Sequence, residues 1–219
     1  MTVEQIKNHP QVQEFIHQTE ATLTALDYTE HGFRHANLVS KRAAEIAQAL
    51  GLSRKIQEIA AITGFCHDMG NFMGRKQHHY WGALLFHQIF QNDFTPEELA
   101  RIVQAIVNHD KSTMKLTNPI SAIIVIADKS DVHRSRVRTE SMERIKRDIH
   151  DRVNYAATKS IIKINKEKKL ISLVLKIDTH FCPIIEYFEI FTARMAYCRE
   201  AAAYLGCKFG LVINNFKLL

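Results

Sequence analysis

The stretch GFCHDMGN, residues 64–71, closes an apolar run with an imidazole and a carboxylate side by side. Ile56, Ile59, Ala60 and Thr63 precede His67 at helical offsets, so His67 points to the face where a leucine belongs. Residues 96–109 repeat the pattern, with Ile102 and Ile106 leading to His109 at i, i+4, i+7. In ISAIIVIADKSD, a helix apolar on nearly every side reaches Asp128. One histidine ending an apolar stripe is ordinarily a hydrogen-bonded core residue. Several such ends with acids among them are tolerable only if the groups satisfy one another or share a cation, because an unpaired buried charge costs several kcal/mol. These residue types therefore point to a buried metal site.

Their order sharpens this: His35 early in one helix, His67 and Asp68 ending the next, Asp128 near the end of a later apolar helix. H, then HD before Met-Gly, then IADKSD resembles the HD-domain superfamily of metal-dependent phosphohydrolases, over about residues 30–138. Binuclear members of that superfamily also carry a histidine four residues before a Gly-Ala pair, as His78 precedes Gly82 and Ala83 in HHYWGALL, and another ending an apolar helix, as His109 does.

The resemblance implies a first metal on His35, His67, Asp68 and Asp128, with Asp68 bridging to a second held by His78 and His109. With one metal only, His78 and His109 would instead serve as acids or phosphate contacts. Mixed imidazole and carboxylate ligands suit Fe, Mn, Ni or Co, and are compatible with Mg or Zn. Such ions lower the pKa of bound water and neutralise phosphoryl charge, which places catalysis at Asp68 and His67 and implies hydrolysis of a phosphoester or phosphoanhydride. The expected substrate is a phosphorylated small molecule, a nucleotide first among them. The alternative is a regulatory module that binds metal and nucleotide without turnover.

This chain also departs from the superfamily. HDIGK is a frequent form of the motif, and Asn71 stands where its lysine would be; Arg75 and Lys76 are the candidate replacements, since a guanidinium fork suits phosphate oxygens. Lys129, Asp131 and Arg134, after the last inferred ligand, are further candidate substrate contacts, whereas Arg136 and Arg138 read as surface charges. NHDKSTMK at the corresponding histidine, His109, excludes the cyclic-diguanylate branch, which carries HHxxGYP. His31 and His79 are the alternatives to His35 and His78. Tyr80 and Trp81 could wall a base pocket, but their helical spacing reads as core.

The elements that must position these residues are helical from residue 3 to about 155: helices are predicted at 3–26, 33–50, 53–68, 78–91, 96–109, 119–133 and 139–157. SIIKINKEKKLISLVLKI then alternates as a β-hairpin around Lys166, Glu167 and Lys168, followed by a helix over 183–204 and a strand in KFGLVINNF. The expected fold is mainly α, an HD-domain helical bundle over 1–157 with a small C-terminal α+β appendage over 158–219 packed on it.

The 219 residues carry a net charge of +6 and a pI near 9.1, which favours anionic partners. The hairpin lysines lack interleaved aromatics and read as solubilising charges, against a nucleic-acid partner. Cys66, Cys182, Cys198 and Cys207 show no CxxC spacing and are expected as free thiols. With no signal-peptide pattern and no run of eighteen apolar residues, the chain is expected to be cytoplasmic with no membrane partner. The appended sheet could pair two copies through an edge strand, giving a homodimer.

Overall fold

The structure, a computed structural model, describes residues 1–110 and 115–218. The chain divides into two compact units, Met1–Asp128 and Lys129–Leu219. The architecture is mainly helical, with a C-terminal four-stranded sheet.

In the first unit, the helix predicted over 3–26 forms as two, α1 (Val3–Lys7) and α2 (Pro10–Ala25). Pro10 supplies the reason: it has no N–H to continue α1, and its fixed φ suits the first turn of α2. Helix α3 (Phe33–Ala49) ends at Leu50, and Gly51 takes φ 75° so that its N–H and that of Leu52 reach back to the carbonyls of Gln48 and Ala47. Ser53 then caps α4 (Arg54–Cys66), its hydroxyl accepting the Ile56 N–H.

A 3₁₀ turn, Met69–Met73, packs between α2 and α5 (His78–Phe90). A capping box of Thr95 and Glu98, with Pro96 in the first turn, starts α6 (Pro96–Asn108). Helix α7 (Pro119–Lys129) stops four residues short of the predicted end, and the chain turns into a 3₁₀ segment at Arg134–Arg136. Within this unit α3 packs on α4, α4 on α6, and α6 on α5. The core includes Val39, Ile46, Ile62, Phe65, Phe86 and Ile106, all buried.

In the second unit, the helix predicted over 139–157 is broken into α8 (Met142–Arg147) and α9 (Ile149–Ala156). Asp148 breaks it by taking an extended backbone and accepting the N–H groups of His150 and Asp151 on its carboxylate, a local bond that competes with helix continuation. The hairpin forms as β1 (Ala157–Asn165) and β2 (Leu170–Ile177). Helix α10 (Ile184–Tyr204) returns the chain to β3 (Lys208–Ile213), parallel to β2. Asn214 and Asn215 both take positive φ, as a two-residue hairpin turn requires, and add a short β4 (Phe216–Lys217). The sheet order is β1-β2-β3-β4, and α10 packs on β3 through a stripe that includes Tyr187, Phe191, Met195 and Cys198. Among the described residues no disulfide forms, and no helix is long and apolar enough to cross a membrane.

Candidate metal centre

Two helices of the first unit end on histidines that take over a carbonyl the helix leaves unpaired. His67 follows α4 and its Nδ1 lies 2.8 Å from the Gly64 carbonyl; His109 follows α6 and its Nδ1 lies 2.6 Å from the Ile106 carbonyl. At the first residue of α5, His78 does the same with the Arg75 carbonyl, at 2.9 Å. A carbonyl oxygen only accepts, so in all three rings Nδ1 donates and Nε2 faces inward. Buried His35, in the first turn of α3, completes the set of histidines, and α7 delivers Asp128 from its last turn.

The inward atoms form two groups that share Asp68. His35 Nε2 lies 3.2 Å from His67 Nε2, 3.5 Å from Asp68 Oδ2 and 3.4 Å from Asp128 Oδ1. His67 Nε2 is 3.4 Å from that same Asp68 Oδ2 and 3.7 Å from Asp128 Oδ1. On the other side, Asp68 Oδ1 lies 3.0 Å from His78 Nε2 and 3.4 Å from His109 Nε2, which are 3.1 Å from each other.

The donor set fits divalent metal. Ligands bonded at ~2.1 Å stand about 3.0 Å apart along an octahedral edge and about 3.4 Å along a tetrahedral one, and these separations bracket both. The facing Nε2 atoms of His78 and His109, whose rings have committed their Nδ1 protons to carbonyls, are lone pair against lone pair, an arrangement that a cation stabilises.

The same geometry sets the electrostatics. Burial opposes the charge on Asp68, but His67, His109 and His78 outweigh it and hold the carboxyl well below its usual range. Burial likewise opposes charge on His67, yet the Asp68 and Asp128 carboxylates raise it. His109 is pushed down to about 4 by burial, against the pull of the Asp68 carboxylate and with the help of the neighbouring imidazoles. Its ring is neutral at neutral pH.

Close approach of two glycines fixes α5 against the His-Asp turn. A Cβ on Gly70 would run into the backbone nitrogen of Gly82 and the carbonyl of His78. The bare Cα of Gly70 thus lets α5 pack directly on the turn that follows Asp68.

Asn71 is fully buried, where the sequence suggested only a lost lysine. Its amide donates to the Asp68 carbonyl at 2.8 Å, and its oxygen accepts from Arg75 at 2.9 Å. The Arg75 guanidinium stands 3.7 Å from Asp68 Oδ1, at the rim of the second group. Lys76 is exposed with no ion pair among the described residues.

Lys129, Asp131 and Arg134 lie in the second unit. There Asp131 pairs with Arg136, and Arg134 stacks over Tyr155. Arg136, expected as a surface charge, is buried, because the 3₁₀ turn folds its guanidinium back onto the Asp131 carbonyl at 3.0 Å. His31 sits beside the first group, its ring 5.4 Å from that of His35, while its Nδ1 donates to the Thr29 carbonyl.

Tyr80 and Trp81 are exposed, not core, because the inward face of α5 is His78, Gly82, Phe86 and Phe90 at four-residue spacing. Sequence reasoning missed Asp110, whose carboxylate lies 3.8 Å from His78 Nε2 and 3.9 Å from Arg75. The signal was present: NHD at 108–110 repeats the His-Asp step of 67–68 at a second helix end.

The profile of the HD domain family matches residues 32–133, the stretch that carries all six converging side chains. The match marks residues 32–133, just under half of the chain, as an HD domain. The family is a superfamily of metal-dependent phosphohydrolases, and helices α3 to α7, which position the six side chains, lie in the matched stretch. The chain is also similar to an uncharacterized protein of Methanocaldococcus jannaschii, 27% identical over an alignment covering 52% of this chain and 52% of the relative. The chain thus spans about half the length of that relative.

Proposed function

We propose that the HD domain hydrolyses a phosphoester or phosphoanhydride of a phosphorylated small molecule, with a nucleotide as the substrate class. The observation that carries this reading is the division of Asp68 between two histidine sets, Oδ2 toward His35 and His67 and Oδ1 toward His78 and His109. His35, His67, Asp68 and Asp128 would hold one divalent ion, and Asp68, His78 and His109 a second; the donors favour Fe, Mn, Ni or Co. Bound there, the ions would supply Lewis acidity and an activated water for in-line attack on phosphorus.

The chain's own residues would orient the substrate. Arg75, fixed by Asn71 and Asp110, presents guanidinium donors to phosphate oxygens beside the second group, taking over the role of the superfamily's lysine. Backbone carbonyls hold His67, His78 and His109 in the ligating tautomer, so no reorganisation precedes substrate binding.

A phosphate-release screen over a nucleotide panel, with each of Mn, Fe, Ni and Co, tests the reading. Release that depends on metal and disappears in Asp68→Ala supports it. Tight nucleotide binding with no release under any metal would favour the second reading, a regulatory module without turnover, to which Asn71 in place of lysine lends its weight.

A further inference from the structure

The sheet of the second unit has two unlike faces. Leu173, Leu175, Leu211 and Ile213 are buried on one. On the other, strand register aligns rows of side chains across the sheet. Lys159 is opposite Lys176, and the next row runs Ile161, Val174, Val212 and Lys217. Two further rows contribute Lys163 and Lys208.

The five lysines are exposed, and none has an ion pair among the described residues. Ile161, Val174 and Val212 between them are half-buried. Like charges directly opposite on adjacent strands destabilise a sheet, so the Lys159–Lys176 pair costs stability unless an anion lies across it. A shallow cavity of about 740 Å³ runs along this side of β1 and β2, lined by Lys159, Ile161, Lys163, Val174 and Lys176 together with Asp178.

We propose that this face docks an acidic amphipathic helix of a partner protein. The apolar row of Ile161, Val174 and Val212 matches the apolar stripe of such a helix, and lysines on both sides match flanking carboxylates. The row crosses the sheet from Ile161 to Lys217, three strand spacings or ~14 Å, the length of a helix of about ten residues. A second copy of this chain would set lysine against lysine. Single-stranded nucleic acid would need aromatic platforms, and the aligned rows offer none.

The test is fluorescence polarisation of a labelled peptide of about ten residues, leucines at i, i+3, i+4 and i+7 with flanking glutamates, against the full chain. We expect saturable binding that weakens with salt, weakens at least tenfold in Lys159→Glu with Lys176→Glu, and returns in that variant for the peptide with lysines replacing glutamates. A melting curve reports folding of the variant, and if the double change lowers it, the single Lys176→Gln substitution is read the same way. Absent binding, equal binding of a scrambled peptide, or equal binding by the variant would overturn the proposal. So would tighter binding of an oligonucleotide or anionic vesicle that the same substitutions abolish. None of these residues belongs to the metal centre, so phosphate release is expected to be unchanged in the variants.

Discussion

His78 and His109 turn their Nε2 atoms toward each other at 3.1 Å while each commits its Nδ1 proton to the carbonyl three residues earlier. Two lone pairs so placed repel, and a shared cation converts that repulsion into ligation. Asp68 Oδ1, 3.0 Å from one ring and 3.4 Å from the other, supplies the negative charge that makes the position attractive to a divalent ion. The pair is therefore poised for metal by the backbone itself.

Metal affinity should fall with falling pH, and His67 sets the range. Its pKa is raised by Asp68 and Asp128, so the metal-free site holds a proton there up to and beyond the ordinary histidine value, and metal binding must release it. Affinity should drop about tenfold per pH unit below that raised pKa and level off above it. Isothermal titration with Mn in buffers of different ionisation enthalpy measures both the slope and the released proton; affinity unchanged between acid and neutral pH would contradict the assignment.

Chelation should destabilise the fold. A ligand at a hundred times its dissociation constant adds about 2.7 kcal/mol, and for a chain of this size that is about 5–10 °C in Tm. Thermal melts with and without a chelator are expected to differ by that amount, and the difference should vanish in Asp68→Ala.

Gly70 and Gly82 should respond unequally to alanine. At Gly70 the methyl would meet backbone atoms of Gly82 and His78, which cannot yield without moving α5, so a loss of about 3 kcal/mol or more and weakened metal binding are expected. At Gly82 the nearest atom to a Cβ is the His67 carbonyl oxygen at 3.3 Å, and the cost should be well below that. Denaturant unfolding of the two variants measures the contrast, and equal losses would count against the packing described.

Arg75→Ala should lower kcat/KM by about 10- to 100-fold, the worth of a charge-assisted hydrogen bond to phosphate, with metal content retained. Arg75→Lys should recover only part, since one ammonium replaces a fork also held by Asn71 and Asp110. Steady-state kinetics on the best substrate of the panel decides it; unaltered kcat/KM in Arg75→Ala would remove Arg75 from substrate binding.

The helices that carry His67, His109 and Asp128 were legible because an apolar stripe that ends in an ionisable residue is visible in one dimension, and His35 through its place in the order H, HD, D. The hairpin was legible for the same reason of period. Local competition hid two helix breaks: Pro10 and Asp148 interrupt stretches whose apolar period runs on unchanged. Tertiary approach hid the rest. That Asn71 would aim Arg75 depends on the turn after Asp68 folding under α5, and that depends on Gly70 meeting Gly82. Tyr80 and Trp81 misled because α5 is apolar well beyond its inward face.

The central claim is that Asp68 joins two metal positions, and metal content per chain after loading with Mn and desalting tests it most directly. Two equivalents are expected for the native chain, one for His109→Ala, and less than one for Asp68→Ala. A single equivalent in the native chain that persists unchanged in His109→Ala, or two equivalents that survive in Asp68→Ala, would contradict it.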